Sequence, residues 1–498
     1  MATNWLKTPM EDADAESALR KLGHESFRPG QEELIEATMA GRDVLGVLST
    51  GFGKSACFQV PGLLQREGSP TLIVSPLIAL MRDQAGELKE RGVNALTLHY
   101  HQTPGLQAQN LRLIQAGRVA FVYVSPERLA NPQFREATAS VPFGNIALDE
   151  AHCVSMWGHS FRPDYLGVQA YADTRPEMRR SAFTATASPM VRADIIKEFG
   201  LRDPFVHMGN PVRPNLTYGV NVVEGPSLAA RIREKDRLLL PIVREAQERG
   251  RVLVYCSTVK GVEELRERLL AQGITAGFYH GQMEKGPRKE AEESFKDGRI
   301  KVMVATNAFG MGVNLPDIRS VVHFDTPTTL MNYAQETGRS GRDGEPSSCN
   351  LLYTGEDLAF QRELIEGAPD ADYVKKLRVN LLVYHNGGPE KAGKPFSINW
   401  GNLYTQMRRN SFNKASVNRF NVAFSILKQY GLLEQRDDDT FILKPVDPQG
   451  PEMQTMAARL DMDRRTKLFG LDQMQRYATA KEPSQEMLYR LMDEDATR

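Results

Sequence analysis

The chain has 498 residues, of which 41% are hydrophobic and 25% charged, with 62 Lys plus Arg set against 62 Asp plus Glu. That length exceeds one core and suggests roughly three domains. The charge balance excludes a whole-chain basic excess, so a polyanionic partner has to meet a local patch. The cysteines Cys57, Cys153, Cys256 and Cys349 lie far apart, which argues against a disulfide framework or a cysteine zinc site and for buried thiols.

In chain order, short apolar runs alternate with helix-like segments: Asp43 to Leu48, Thr71 to Ser75, Val119 to Val124, Ile146 to Asp149 and Ser181 to Thr184. Unbroken apolar strands between amphipathic helices predict a parallel sheet covered on both faces. The pattern pauses at Gly209-Asn210-Pro211-Val212-Arg213-Pro214-Asn215, where two prolines among polar residues read as a linker. A second series, Arg251 to Tyr255, Lys301 to Ala305, Val321 to Phe324 and Asn350 to Tyr353, predicts a second lobe of the same type.

Beyond Gly355 the sequence becomes charged and helix-rich. Ser416 to Tyr430 reads as an amphipathic helix with Val417, Phe420, Phe424 and Leu427 on one face. Two strand-like runs flanking an Asp437-Asp438-Asp439 turn follow, which is the order of a winged helix. Arg408, Arg409, Lys414 and Arg419 near its start suit phosphates and suit a solvated helix face equally.

The stretch Ser49-Thr50-Gly51-Phe52-Gly53-Lys54-Ser55 joins a buried strand to a helix. Such a turn converges backbone N–H groups on an anion. Thr50, Gly51 and Gly53 would cradle the phosphates, Lys54 reach them, and Ser55 offer its hydroxyl to Mg²⁺. A strict phosphate loop has a glycine where this chain has Leu48. At Asp149-Glu150-Ala151-His152 the first acid would hold Mg²⁺ and Glu150 would deprotonate a water, although alone two such acids would also serve as helix caps. Gln31, after Arg28, could read an adenine edge. Thr184 and Thr186, closing another strand, are placed to sense the phosphate site.

Gln335-Glu336-Thr337-Gly338-Arg339-Ser340-Gly341-Arg342 sets two arginines three apart, on one face if the segment is helical. Their planar forks suit a phosphoryl group, so the site would be completed by closure of the two lobes.

On these motifs the chain resembles the superfamily-2 helicases over about residues 15 to 355, and within them the RecQ family. Phe27-Arg28-Pro29-Gly30-Gln31, the acidic box and Val304 to Asn314 carry the likeness, with Ser155-Met156-Trp157-Gly158-His159-Ser160-Phe161-Arg162-Pro163-Asp164-Tyr165 as the most diagnostic stretch. That stretch is similar to the family's aromatic-rich loop, which couples single-strand binding to hydrolysis. Its aromatic faces suit bases and Arg162 suits phosphate. The resemblance implies α/β architecture with two RecA-like lobes, 1–209 and 210–355; the residues beyond them read as a mainly helical region, 356–498, with a winged helix around 400–446.

The same resemblance implies ATP with Mg²⁺, and catalytic roles for Lys54, Asp149, Glu150, Gln335, Arg339 and Arg342. His152, Thr184 and Thr186 would couple the sites. Ser75, Pro76, Ser125, Arg128, Trp157, Phe161, Arg162, Ser257, Thr306 and Asn314 would meet single-stranded or duplex DNA without reading bases. Polarity 3′ to 5′ and a role in DNA repair and recombination follow from the family as well.

Two departures stand out. His24 occupies the neighbourhood where relatives often have an adenine-stacking tyrosine, and residues 356–498 contain no cysteine, so no structural zinc is expected. A translocase or RNA helicase that parts no long DNA duplex is an alternative, as is a binding scaffold with a dead ATPase. No apolar run is long enough to span a bilayer and the N-terminus lacks a signal-peptide core, so a cytoplasmic place, nucleoid-associated in a bacterium, is expected.

Overall fold

The computed structural model of the chain describes residues 14–494 except 50, 67, 156–164, 311–314, 386, 389–390, 399, 402, 404–416 and 437–439. The chain divides into two compact units, Met1–Asp357 with Gln473–Arg498, and Leu358–Asp472. Each is built around its own sheets.

In the first unit, among the described residues, β1 (Val44–Val47), β2 (Thr71–Val74), β3 (Ala95–Leu98), β4 (Phe121–Val124), β5 (Asn145–Leu148), β6 (Arg179–Thr184) and β7 (Phe205–Met208) form one sheet in the order β3-β4-β2-β5-β6-β1-β7. Every pairing in it is parallel. Both faces are covered because successive side chains of each strand enter different cores: Leu45 and Val47 join one cluster with Ile146 and Leu148, and Val44 joins the other with Ile73 and Phe183. Each such side chain contributes about 1.5–3 kcal/mol on burial. The neighbours β5, β6 and β1 bring the acidic box, Thr184 and the glycine loop to one carboxyl edge.

The second lobe holds β8 (Leu216–Val222), β9 (Arg251–Tyr255), β10 (Ala276–Tyr279), β11 (Val302–Ala305), β12 (Ile318–His323) and β13 (Ser347–Tyr353) in the parallel order β10-β11-β9-β12-β13-β8. The expected strands are all present. Four more, β3, β7, β8 and β10, were not marked by the apolar runs. β7 is an edge strand exposed at alternate positions, β8 an edge strand exposed at Thr217 and Val222, and β10 contains Gly277, so none of these three reads as an unbroken apolar run. The four cysteines are buried and free, and burial pushes the Cys57 and Cys349 thiols up to about 12.

The expectation of one C-terminal region from residue 356 meets a different division. The chain leaves the first unit within helix Gly355–Gly367 and returns to it at Gln473, near the end of helix Pro451–Ala478. Tyr477 then packs on Tyr333 of helix Leu330–Thr337, ring centroids 5.6 Å apart, and helix Gln485–Met492 buries Leu488 and Leu491. Those apolar residues complete the second lobe rather than a separate body. Among the described residues no helix is long and apolar enough to cross a membrane.

In the second unit helix Val417–Gln429 precedes β15 (Leu433–Gln435) and β16 (Thr440–Leu443), which with β14 (Pro395–Ser397) form an antiparallel sheet, β14-β16-β15. Trp400 stands edge-on to Phe424 and Phe441, with centroids 5.3 and 6.0 Å away. Helix, strand and strand thus follow in the winged-helix order.

Candidate active site between the lobes

The glycine loop leaves β1 and enters helix Ala56–Leu63. Gly51 and Gly53 adopt φ of 83° and 78°, where a side chain is strained, and a Cβ on Gly53 would stand 2.6 Å from Gln31 Nε2. The Ser49 hydroxyl is buried without a hydrogen-bond partner. Lys54 Nζ donates to Leu48 O at 3.3 Å, and Gln84 Nε2 donates to Ser55 Oγ at 3.0 Å. Gln31 faces the same loop: its Nε2 donates to Phe52 O and Gly53 O at 3.0 and 2.9 Å, while its Oε1 accepts from the Arg28 N–H at 2.8 Å. The Arg28 guanidinium donates to Gly51 O. Gln31, expected at an adenine edge, therefore also buckles the phosphate loop to helix Gln31–Met39 together with Arg28.

Asp149 and Glu150 follow β5. Glu150 has φ 51° and ψ 48°, a left-handed conformation shared among the non-glycine described residues only by Asp203. Such backbone costs about 1–3 kcal/mol and concentrates at working sites. Asp149 Oδ1 accepts from the Glu150 N–H at 3.0 Å. Burial, then the Glu150 charge, pushes the Asp149 carboxyl up, with Lys54 pulling the other way.

His152 Nδ1 lies 3.3 Å from Glu150 Oε2 and 3.0 Å from Thr184 Oγ1. Burial alone would push the imidazolium down, but Cys153 and Glu150 outweigh it and hold it up at about 10. Thr184 Oγ1 donates to Thr186 O at 3.1 Å, and Thr186 Oγ1 reaches Met331 Sδ of the second lobe at 2.8 Å. The expected coupling residues thus form one path from the acid to the other lobe.

Arg339 and Arg342 are not on a helical face. Helix Leu330–Thr337 ends at Gly338, and Gly341, with φ 52°, turns the chain where a Cβ would stand 2.6 Å from Asn215 Nδ2. The turn sends Arg342 to the first lobe and leaves Arg339 on Gly310 of its own lobe. Arg342 lays its stem on Gly51, such that a Cβ there would be 3.3 Å from Arg342 Cγ. Arg339 donates to Gly310 O, and its buried Nε has no partner. Burial, then the charges of Arg339 and Arg213, pushes Arg342 down to about 9, while Glu150 opposes them. Arginine keeps its proton at neutral pH, so three crowded guanidiniums call for an anion. Arg213 and Asn215 were missed, because an Arg-Pro-Asn run reads as linker; both donate to Gly341 O.

The residues expected at nucleic acid are more scattered. Ser75 is buried with its hydroxyl 3.5 Å from Asp149 Oδ2. Ser125 and Pro126 open helix Pro126–Ala130, and Arg128 lies 5.9 Å over the Phe134 ring. Ser257 is exposed, with its N–H on Asp325 Oδ2 at 2.9 Å, and Thr306 follows β11. Gln335 and Pro76 are half-buried. Thr50, Trp157, Phe161, Arg162 and Asn314 lie outside the described residues. In the second unit Arg419 lies 4.6 Å over the Tyr373 ring, and Lys428, Arg436 and Lys444 line an open concavity beside the β15–β16 hairpin.

The orphaned Ser49 hydroxyl, the glycine cradle and the arginines fit a triphosphate, and the Ser55 hydroxyl with the Asp149 carboxylate are oxygen donors of the kind Mg²⁺ takes.

The sequence matches the DEAD/DEAH box helicase family over residues 28–194 and the helicase conserved C-terminal domain over 234–344. It is 37% identical over 346 residues to a probable ATP-dependent DNA helicase RecS of Bacillus subtilis, covering 69% of this chain and 68% of that one. It is also 35% identical over 370 residues to an ATP-dependent DNA helicase RecQ of Pasteurella multocida, covering 74% of this chain. The chain belongs to the RecQ family of superfamily-2 helicases. This RecQ-family chain spans 57% of the length of the Pasteurella relative. Among solved structures it shares its fold with the Mycobacterium smegmatis helicase Lhr bound to ssDNA and AMP-PNP, with a TM-score of 0.55, 17% identity and coverage of 92% of this chain and 62% of that one.

Proposed function

We propose that the chain is an ATP-dependent DNA helicase that moves 3′ to 5′ on single-stranded DNA and parts duplex DNA, in repair and recombination. The observation that carries the reading is Arg342 lying on Gly51, because it sets an arginine of one lobe on the phosphate loop of the other. Family membership supplies the direction and the DNA.

In this reading Gly51, Gly53 and Lys54 hold the phosphates, with Thr50 beside them, while Arg28 and Gln31 bind the base and brace the loop. Ser55 and Asp149 would hold Mg²⁺, which would neutralise phosphate charge there. Glu150, kept in its strained turn, takes the proton of the attacking water, and Gln335 would assist from the second lobe. Arg339 and Arg342 steady the charge that spreads over the transferred phosphoryl group, a contribution worth about 10³–10⁵ in rate for such arginines. Loss of the γ-phosphate removes what the arginines grip, and the lobes part.

The cycle would be read out through His152, Thr184 and Thr186 at strand ends, and through Ser75, Ser125, Arg128, Ser257 and Thr306 along the backbone of single-stranded DNA, with Trp157 and Phe161 under the bases. Lys428, Arg436 and Lys444 are suited to duplex phosphates beside the hairpin of the second unit.

The test is ATP hydrolysis with and without single-stranded DNA, together with strand displacement from a duplex bearing a 3′ overhang, for the parent and Glu150→Gln. Stimulated hydrolysis with displacement, both lost in the variant, is expected. Hydrolysis without displacement would replace the helicase by a translocase, and no stimulated hydrolysis would leave a binding scaffold.

A further inference from the structure

The arginine loop is held from behind by residues far from the nucleotide. It runs from Gly338 to Arg342, and two glycines in those five residues leave backbone that does not hold its own shape. Arg213 supplies the missing constraint: its guanidinium donates to Gly338 O at 3.3 Å and to Gly341 O, the two carbonyls that flank Arg339. Asn215 Nδ2 donates to the same Gly341 O at 2.8 Å and to Glu345 O at 3.0 Å.

Arg213 is anchored in turn by the returning C-terminal segment. Gln485, the first residue of helix Gln485–Met492, is buried, and its Oε1 accepts from the Arg213 N–H at 2.6 Å. Gln485 and Tyr489 line one small cavity with Arg213 and Gly338 from the second lobe side and with Ser49 and Thr186 of the first lobe. Past the helix, Asp493 pairs with Arg192 of the first lobe at 3.6 Å, and Arg476 closes the hairpin on Glu494 at 3.0 Å.

We infer that Gln485 is a positioning residue for ATP hydrolysis: through Arg213 it fixes the loop that presents Arg339 and Arg342 to the phosphoryl group. The inference rests on the ATP-hydrolase reading above. Gln485 touches no reacting atom. Its contribution lies in removing the wandering of a glycine-flanked loop, where a displacement of about 1 Å can cost up to roughly a hundredfold in rate. Most contacts to the base and phosphates come from the first lobe, so a wandering arginine loop is read chiefly in kcat.

The whole chain is assayed for DNA-stimulated hydrolysis as parent, Gln485→Leu, Gln485→Glu and Arg342→Ala. Gln485→Leu removes the acceptor at nearly constant volume, whereas Gln485→Glu keeps an acceptor facing the Arg213 N–H. Expected are a fall of about tenfold in kcat for Gln485→Leu with KM for ATP within about twofold of the parent, and recovery in Gln485→Glu. In the Gln485→Leu/Arg342→Ala double variant the losses fall short of additive, because both act on one loop.

Should Gln485→Leu melt early, Arg213→Lys, which keeps the cation but not the fork that spans both carbonyls, is read by the same split. Parental kcat in Gln485→Leu, an equal loss in Gln485→Glu, or KM rising with the fall in kcat would overturn the inference. A parent that hydrolyses no ATP with DNA sinks the underlying reading instead.

Discussion

Gln31 Nε2 lies 2.9 Å from Gly53 O, so the side chain expected to read a base also fastens the phosphate loop. Its Oε1 is occupied by the Arg28 N–H. Gln31→Ala is therefore expected to raise KM for ATP about tenfold and to shrink the preference for ATP over GTP, measured by steady-state hydrolysis of each. Gln31→Glu should be worse than alanine, because it sets a carboxylate against the Phe52 and Gly53 carbonyls. That order, reversed, would show that base reading and not loop bracing is the main role.

Arg342 is buried and crowded by the guanidiniums of Arg339 and Arg213, which with burial push it down to about 9. Removing its charge should relieve the empty protein while disabling the filled one. For Arg342→Gln the apoprotein is expected to melt about 2 °C higher, and kcat to fall by about 10³ or more. A non-hydrolysable ATP analogue should raise the Tm of the parent more than that of the variant. Differential scanning calorimetry with and without the analogue measures both.

Much of this site was legible beforehand because glycines, lysine, paired acids and arginines at strand ends have few other uses together. The loop after β1, the box after β5 and Thr184 at the end of β6 were each marked by an apolar run ending in reactive residues. Arg213 and Asn215 were not, since their role exists only through Gly338 and Gly341, more than a hundred residues away in sequence. Nor was the return of the chain to Tyr333: the spacing of Leu488 and Leu491 shows a buried helix face but not what buries it. The arginines would share one helical face only if their segment were helical, and the glycines that weaken a helix ended it at Gly338.

Lys235 is buried with its Nζ 2.9 Å from Asp357 Oδ2, 3.6 Å from Asp325 Oδ1 and 2.6 Å from Phe324 O. Burial, opposed by Lys235, pushes the Asp325 carboxyl up. Lys235→Met leaves buried carboxylates without their cation, and the expected loss is about 3–5 kcal/mol. A carboxyl whose folded pKa lies above its unfolded one costs stability at higher pH and ceases to cost it once protonated. The deficit of the variant should thus be larger at pH 8 than at pH 5, by urea midpoint. Because Asp325 also accepts from the Ser257 N–H, binding of single-stranded DNA should weaken in parallel.

Glu150 carries positive φ that a glycine adopts without strain. Glu150→Gly should raise the stability of the apoprotein, by up to about 1–3 kcal/mol less the cost of a freer unfolded chain, while abolishing hydrolysis. Glu150→Gln should abolish hydrolysis with the strain left in place. A thermal melt of the two variants side by side distinguishes strain from chemistry at this position.

The packing of Tyr477 on Tyr333 sets an order of events during synthesis. The strands of the second lobe emerge from the ribosome long before the helix that seals their arginine-bearing neighbour, and the whole of Leu358–Asp472 is translated in between. The unit begun second is thus free to fold first, and the unit begun first is finished last. Until then the nascent chain carries an exposed aromatic face around Tyr333, so a chain stalled in that interval would offer a chaperone or a protease a target that the finished molecule conceals.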